Sequence, residues 1–204
     1  MENIDKTIEY VKNFFENDYS GHDFYHTMRV YNLAKHIASF EKCDTEIVAL
    51  SALLHDVDDI KIVGIQEEKY INAKNFLRKQ NYPEEKIENI CHIISQVSFK
   101  GKDTEKPDNI EGMIVQDADR LDAIGAIGIG RTFAYGGSHQ IPMHIPGQAY
   151  NDNMTSEEYY NFQQIVYYLI IFRLFLSILA YFFLQPNSLH FSKHHNKLAN
   201  YFHI

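Results

Sequence analysis

The sequence predicts an all-α fold. Apolar residues recur at three- and four-residue spacing from Ile4 to Ala134, no alternating strand of useful length appears, and helical stretches open on capping residues such as Asp23 and Asp44. A chain of 204 residues is long enough to bury one substantial core, and nothing in it forces a second domain.

Taken in order, Ile4, Ile8, Val11, Phe14 and Phe15 share the face of a first helix, which ends near Asp18-Tyr19-Ser20-Gly21. Asp23 caps a second helix that turns Tyr25, Met28, Val30, Leu33, Ala34, Ile37 and Ala38 toward the core. His22 and His26, four apart, face the same way. Asp44 caps a third helix through Ile47, Val48, Leu50, Leu53 and Leu54. After an acidic turn and Gly64, Ile71, Phe76 and Leu77 mark another helix, which closes before Asn81-Tyr82-Pro83. Pro83 opens the next, with Glu84 and Glu85 in its first turn and Ile87, Ile90, Cys91, Ile94 and Val97 inside. A polar loop from Phe99 to Asn109 follows. Glu111 to Ala134 resumes the helical signal, with Gly125, Gly128 and Gly130 allowing a close approach of a neighbour. The Gly- and Pro-bearing stretch from Tyr135 to Thr155 predicts a lid or binding loop.

Composition narrows the partners. Lys plus Arg is 19 against 27 for Asp plus Glu, a formal charge of -8, which argues against a nucleic-acid backbone footprint but leaves room for a pocket fitting one nucleotide. Cys43 and Cys91 have no metal-ligand or framework spacing, and the N-terminus shows no secretory pattern, so the expected compartment is the cytoplasm, with reduced thiols.

The chemistry centres on Leu53-Leu54-His55-Asp56-Val57-Asp58-Asp59. An apolar helix locks the backbone and then offers an imidazole and a carboxylate to one point, which is half a metal site. His26 and one of Asp117, Asp119 and Asp122 would supply the rest from other helices. A carboxylate at a core margin needs a partner, and a cation is one. An ion pair with Arg29, Arg120 or Lys61 is the alternative.

These residues resemble the H…HD…D signature of the HD-domain metal-dependent phosphohydrolase superfamily. Gly21-His22-Asp23-Phe24-Tyr25-His26 with Arg29-Val30, Ala52-Leu53-Leu54-His55-Asp56, Ser98-Phe99-Lys100-Gly101 and the block from Asp119 to Gly137 are similar to its branch of small, stand-alone bacterial hydrolases. The resemblance extends to about Gln164. It implies a helical HD bundle with a metal site between helices, and His26, His55, Asp56 and Asp119 as ligands. Asp119 is preferred to Asp117 because Ala118-Asp119-Arg120-Leu121 matches the family form, and Asp122, one turn on, would orient a ligand or a water. Asp59 is the candidate general base beside Asp56. Lys61, Lys100, Lys102, Arg29 and Arg131 are candidates for holding phosphate oxygens, Lys100 foremost. His22 belongs either around the ligands or at the helix start.

The implied activity is a divalent-metal-dependent phosphohydrolase acting on a small phosphorylated substrate, a nucleotide, releasing pyrophosphate from a nucleoside triphosphate. The implied ion is one Mn²⁺, with Mg²⁺, Co²⁺, Ni²⁺ and Fe²⁺ compatible with the mixed ligands. The alternatives are a nucleoside monophosphatase or alarmone hydrolase of the same type, and a non-catalytic metal- or nucleotide-binding module.

Residues 165–204 depart from this pattern, so the expected division is an HD domain over 1–164 and an atypical tail. Ile165 to Leu184 is apolar on every face apart from Arg173 and Ser177, long enough to cross a bilayer at about 20 residues. A His-rich end follows Pro186. The tail fits a closing helix, a membrane anchor weakened by Arg173, or a change of reading frame near Gln164, and the abrupt loss of family character favours the last.

Overall fold

The computed structural model describes residues 2–64, 68–97 and 106–143, all within one compact unit, Met1–Leu169. Among these residues the regular structure is entirely helical: α1 (Glu2–Phe14), α2 (Phe24–Ala38), α3 (Thr45–Leu54), α4 (Ile60–Val63), α5 (Ile71–Lys79), α6 (Glu84–Val97), α7 (Ile110–Asp122) and α8 (Gly125–Ser138).

Every residue of α3 from Val48 to Leu54 is buried. A helix with no polar face has to be enclosed, and α3 packs against α1, α2, α6 and α7. Leu50, Leu53 and Leu54 have no exposed surface, and burial of each contributes about 1.5–3 kcal/mol. The Asp44 carboxylate starts α3 by accepting from the Glu46 and Ile47 N–H groups, as its position suggests. Asp23 starts α2 by accepting from His26 N–H. In α2, Val30, Ala34, Ile37 and Ala38 go inside as their spacing predicts, and the helix lies against both α3 and α7.

Three details differ from the periodicity. Tyr25, expected in the core, is 69% exposed, because it follows the helix start on the side away from α3 and α7 while its neighbour His26 is buried. The signal across Glu111–Ala134 is two helices, since Gly125 turns the chain at φ +75°, a left-handed conformation that glycine adopts without strain. Apolar spacing continues across such a corner and so conceals it. Gly128 then sits on the Ala123 carbonyl, where an added Cβ would lie 2.0 Å from the oxygen. Finally, α8 runs on to Ser138, taking in the first four residues of the expected loop.

The remainder of that loop beyond Met143, Lys100, Lys102 and the division at Gln164 with its tail all lie outside the described residues. Among the described residues no helix is long and apolar enough to cross a membrane.

Candidate metal centre

Three helices deliver the centre. α2 carries His26 in its first turn, α3 is closed by His55 as its C-cap with Asp56 directly after it, and α7 carries Asp119 and Asp122 in its last turn. Because α2, α3 and α7 pack mutually, their ends meet. His26, His55 and Asp56 are buried together, each offering one ligand atom to a common point.

The distances are those of a coordination shell. His26 Nε2 lies 3.2 Å from His55 Nε2, 3.3 Å from Asp56 Oδ2 and 3.5 Å from Asp119 Oδ1. His55 Nε2 lies 3.2 Å from Asp56 Oδ2 and 3.8 Å from Asp119 Oδ1. Two atoms each about 2.1 Å from a shared cation stand about 3.0 Å apart at a right angle and about 3.4 Å apart at the tetrahedral angle.

Hydrogen bonds fix which nitrogen of each ring faces this point. His55 Nδ1 is 2.9 Å from the Ala52 carbonyl, which only accepts, so Nδ1 donates. His26 Nδ1 is 2.8 Å from Asp122 Oδ2. Burial alone would raise the Asp122 carboxyl, but hydrogen bonds from His26 and Arg29, with the charge of Arg131, hold it well below the usual carboxylate range. Asp122 is therefore an acceptor, and His26 Nδ1 donates as well. With both imidazoles neutral, as metal ligation requires, their Nε2 lone pairs would face one another across 3.2 Å, with the buried Asp56 Oδ2 beside them. Buried lone pairs facing one another require a positive charge between them, and a divalent cation fits this donor set.

The electrostatics agree. Burial disfavours a charged His55, yet the Asp56 and Asp119 carboxylates and the Ala52 carbonyl outweigh it and push its pKa up to about 9. Burial would likewise raise Asp56, but the His55, His26 and His22 imidazoles hold it well below its ordinary value. His22 stands edge-on to His26 at 5.9 Å and edge-on to Tyr135 of α8 at 5.7 Å, so it lies beside the ligand cluster.

Asp119 and Asp122, three apart, share a face of α7, and they address opposite nitrogens of the same His26 ring. Asp117 is exposed, as a carboxylate at a helix margin would be. Asp59 follows in the turn: its N–H donates to the Asp56 carbonyl at 3.1 Å, and its own carbonyl accepts from Ile62 and Val63 N–H to begin α4. Lys61 falls in α4, with its side chain outside the described atoms.

Arg29 and Arg131, expected at phosphate, both engage Asp122. Arg29 Nε and Nη2 donate to Oδ1 at 2.6 Å and Oδ2 at 3.1 Å, and Arg131 Nη1 donates to Oδ2 at 3.0 Å. The spacing of His26 and Arg29 places them on one face of α2, a signal that ties them to a common partner.

Asp58 is the residue the sequence did not single out. Its two oxygens accept from Asn72 and Ala73 N–H, each at 2.9 Å, while Asn72 Nδ2 donates to the Val57 carbonyl at 2.9 Å. The turn after Asp56 is thereby fastened to the start of α5. No local spacing connects residues fourteen apart, so only the tertiary structure reveals the link.

Known proteins are similar to this chain over the same region. The HD domain family model matches residues 23–124, which contain all four candidate ligands. YpgQ of Bacillus subtilis (strain 168) is 40% identical over 131 residues, covering 63% of this chain and 64% of YpgQ, so the aligned part spans less than two thirds of that relative. A crystal structure of YpgQ in complex with ADP aligns at 31% identity and a TM-score of 0.54, covering 83% of this chain and 82% of that one. A Lactobacillus plantarum crystal structure aligns at 30% identity and a TM-score of 0.74, covering 86% and 82%. A crystal structure of an HD-superfamily hydrolase from Bacillus thuringiensis aligns at 37% identity and a TM-score of 0.54, covering 84% and 82%. With the family match spanning the helices that carry His26, His55, Asp56 and Asp119, this chain belongs to the HD-domain family.

Proposed function

We propose that this protein is a divalent-metal-dependent phosphohydrolase acting on a nucleotide, cleaving a nucleoside triphosphate to monophosphate and pyrophosphate. The observation that carries the reading is the buried meeting of His26 Nε2, His55 Nε2 and the Asp56 carboxylate at one point. His26, His55, Asp56 and Asp119 hold the ion in this reading. A divalent cation, when bound, supplies positive charge that polarises a phosphoryl oxygen, and Mn²⁺ suits two imidazoles with carboxylates. A nucleotide is supported by the likeness to YpgQ, whose crystal structure is a complex with ADP, and hydrolysis by the likeness to the Bacillus thuringiensis protein.

Asp59, in the turn beyond Asp56, takes a proton from the attacking water as its oxygen bonds to phosphorus and the bond to the pyrophosphate oxygen breaks. Lys61 and Lys100 hold phosphate oxygens, and Arg29 and Arg131 add positive charge at the edge of the site while bonded to Asp122. The reaction takes place in the cytoplasm, on a small molecule rather than on nucleic acid.

A nucleotide panel with Mn²⁺, Mg²⁺, Co²⁺ and Ni²⁺, scoring phosphate and pyrophosphate separately, tests the reading. Pyrophosphate release from triphosphates supports it. His55→Ala and Asp56→Ala are each expected to lose more than the roughly 10- to 100-fold typical of outer partners of a metal ligand. Full metal-dependent turnover by either variant would sink the proposal.

A further inference from the structure

His26 is held from behind by a group that is not among the proposed ligands. Its Nδ1 meets Asp122 Oδ2 at 2.8 Å, and that carboxylate is itself clamped by two guanidinium groups, Arg29 from α2 and Arg131 from α8. Arg131 Nε also donates to the Gly21 carbonyl at 2.5 Å, just ahead of α2. Gly21, at φ +93°, lies so close that a Cβ there would stand 3.0 Å from the Arg131 carbonyl oxygen. Asp122 is 6% exposed, so three side chains converge through four hydrogen bonds on a carboxylate almost shut off from water.

We infer that Asp122 is a positioning residue that locks His26 in the tautomer protonated at Nδ1, and that Arg29 and Arg131 hold Asp122 in place for this purpose. The inference rests on the metal-site reading above, since a bare Nε2 matters only if something is bound there. A carboxylate oxygen that accepts three N–H groups has no way to donate to His26. The proton is therefore fixed on Nδ1, and the Nε2 lone pair points at His55 and Asp56. A residue that merely filled space would not need two arginines from separate helices. The arginines also tie α8 and the Gly21 turn to the ligand ring, which a carboxylate alone would not do.

The test uses the full chain. Mn²⁺ affinity is measured by calorimetry for wild type, Asp122→Asn and Arg131→Gln, with thermal melts of each in chelator to report folding. Long-range ¹H–¹⁵N correlation spectra of the metal-free protein, with the His26 ring assigned by its disappearance in His26→Gln, give the tautomer directly. The expected result is a Mn²⁺ affinity roughly 10- to 100-fold weaker in Asp122→Asn, with a smaller loss in Arg131→Gln and melts close to wild type. Wild-type His26 is expected to be protonated at Nδ1. Asp122→Asn binding Mn²⁺ within about threefold of wild type, outside the range expected for an outer partner, would overturn the inference. So would a wild-type His26 protonated at Nε2, a readout that stands even if the Asp122 variant does not fold. Absence of Mn²⁺ binding by wild type would instead count against the metal-site reading, leaving the tautomer measurement to judge Asp122 alone.

Discussion

His55 joins burial to competing charges. Its pKa rises to about 9 because Asp56 and Asp119 outweigh the cost of burying a charge, so near neutral pH the metal-free ring carries a proton where a cation would bind. Metal must displace that proton. Apparent Mn²⁺ affinity is expected to rise with pH, by up to about tenfold per unit, and to level off near pH 9, which calorimetry across that range checks. The stability of the metal-free chain has the opposite slope. A folded pKa above the ordinary 6.5 contributes stability in full below that value and loses it as pH rises through about 9. Asp56, held below its ordinary 3.8, contributes above that value and loses the contribution as pH falls. Chelator-treated protein should therefore melt at a lower temperature at pH 9.5 than at pH 7, and the reverse order would contradict the charge balance at His55.

The link between the HD turn and α5 belongs to the scale of elements. Tyr70, the N-cap of α5, sits at φ 61° and makes no side-chain cap, so the first-turn N–H groups of Asn72 and Ala73 are satisfied by Asp58 from another part of the chain. Replacing Asp58 with Ala is expected to cost about 0.5–2 kcal/mol in denaturant unfolding, as loss of a cap does. Because Asp58 follows Asp56 by two residues, the same variant should also weaken metal-dependent turnover. The double consequence separates it from Asp44→Ala, whose cap lies at the far end of α3 and should cost stability alone. Equal turnover losses in the two variants would argue against a special role for the turn.

At the scale of the molecule, the centre sits on an apolar core that does not depend on it. α3 is enclosed by four helices through buried apolar side chains that are not themselves ligands, including Val48, Leu50 and Leu53. Removing the metal should therefore leave the helical circular dichroism unchanged while lowering the melting temperature. At a cation concentration a hundredfold above Kd the difference corresponds to about 2.7 kcal/mol. Collapse of the helical signal in chelator would show instead that the cation holds the bundle together.

The sequence by itself determined the helical class, the caps at Asp23 and Asp44 and the enclosed character of α3, and its likeness to the HD signature named His26, His55, Asp56 and Asp119 as the expected ligands. Each of these is written in local spacing or in a short motif, because a helix buries what recurs every three or four residues and a cap acts within one turn. The tertiary structure decided what depends on distant partners. It turned Arg29 and Arg131 toward Asp122, set Asp58 on the start of α5, and broke the α7–α8 stretch at Gly125 where apolar spacing runs on unbroken. Periodicity says which face of a helix is buried. It does not say which charge from another helix will meet that face, and that choice arises only when α2, α7 and α8 bring residues nearly a hundred positions apart within 3 Å, as in the contact of His26 with Asp122.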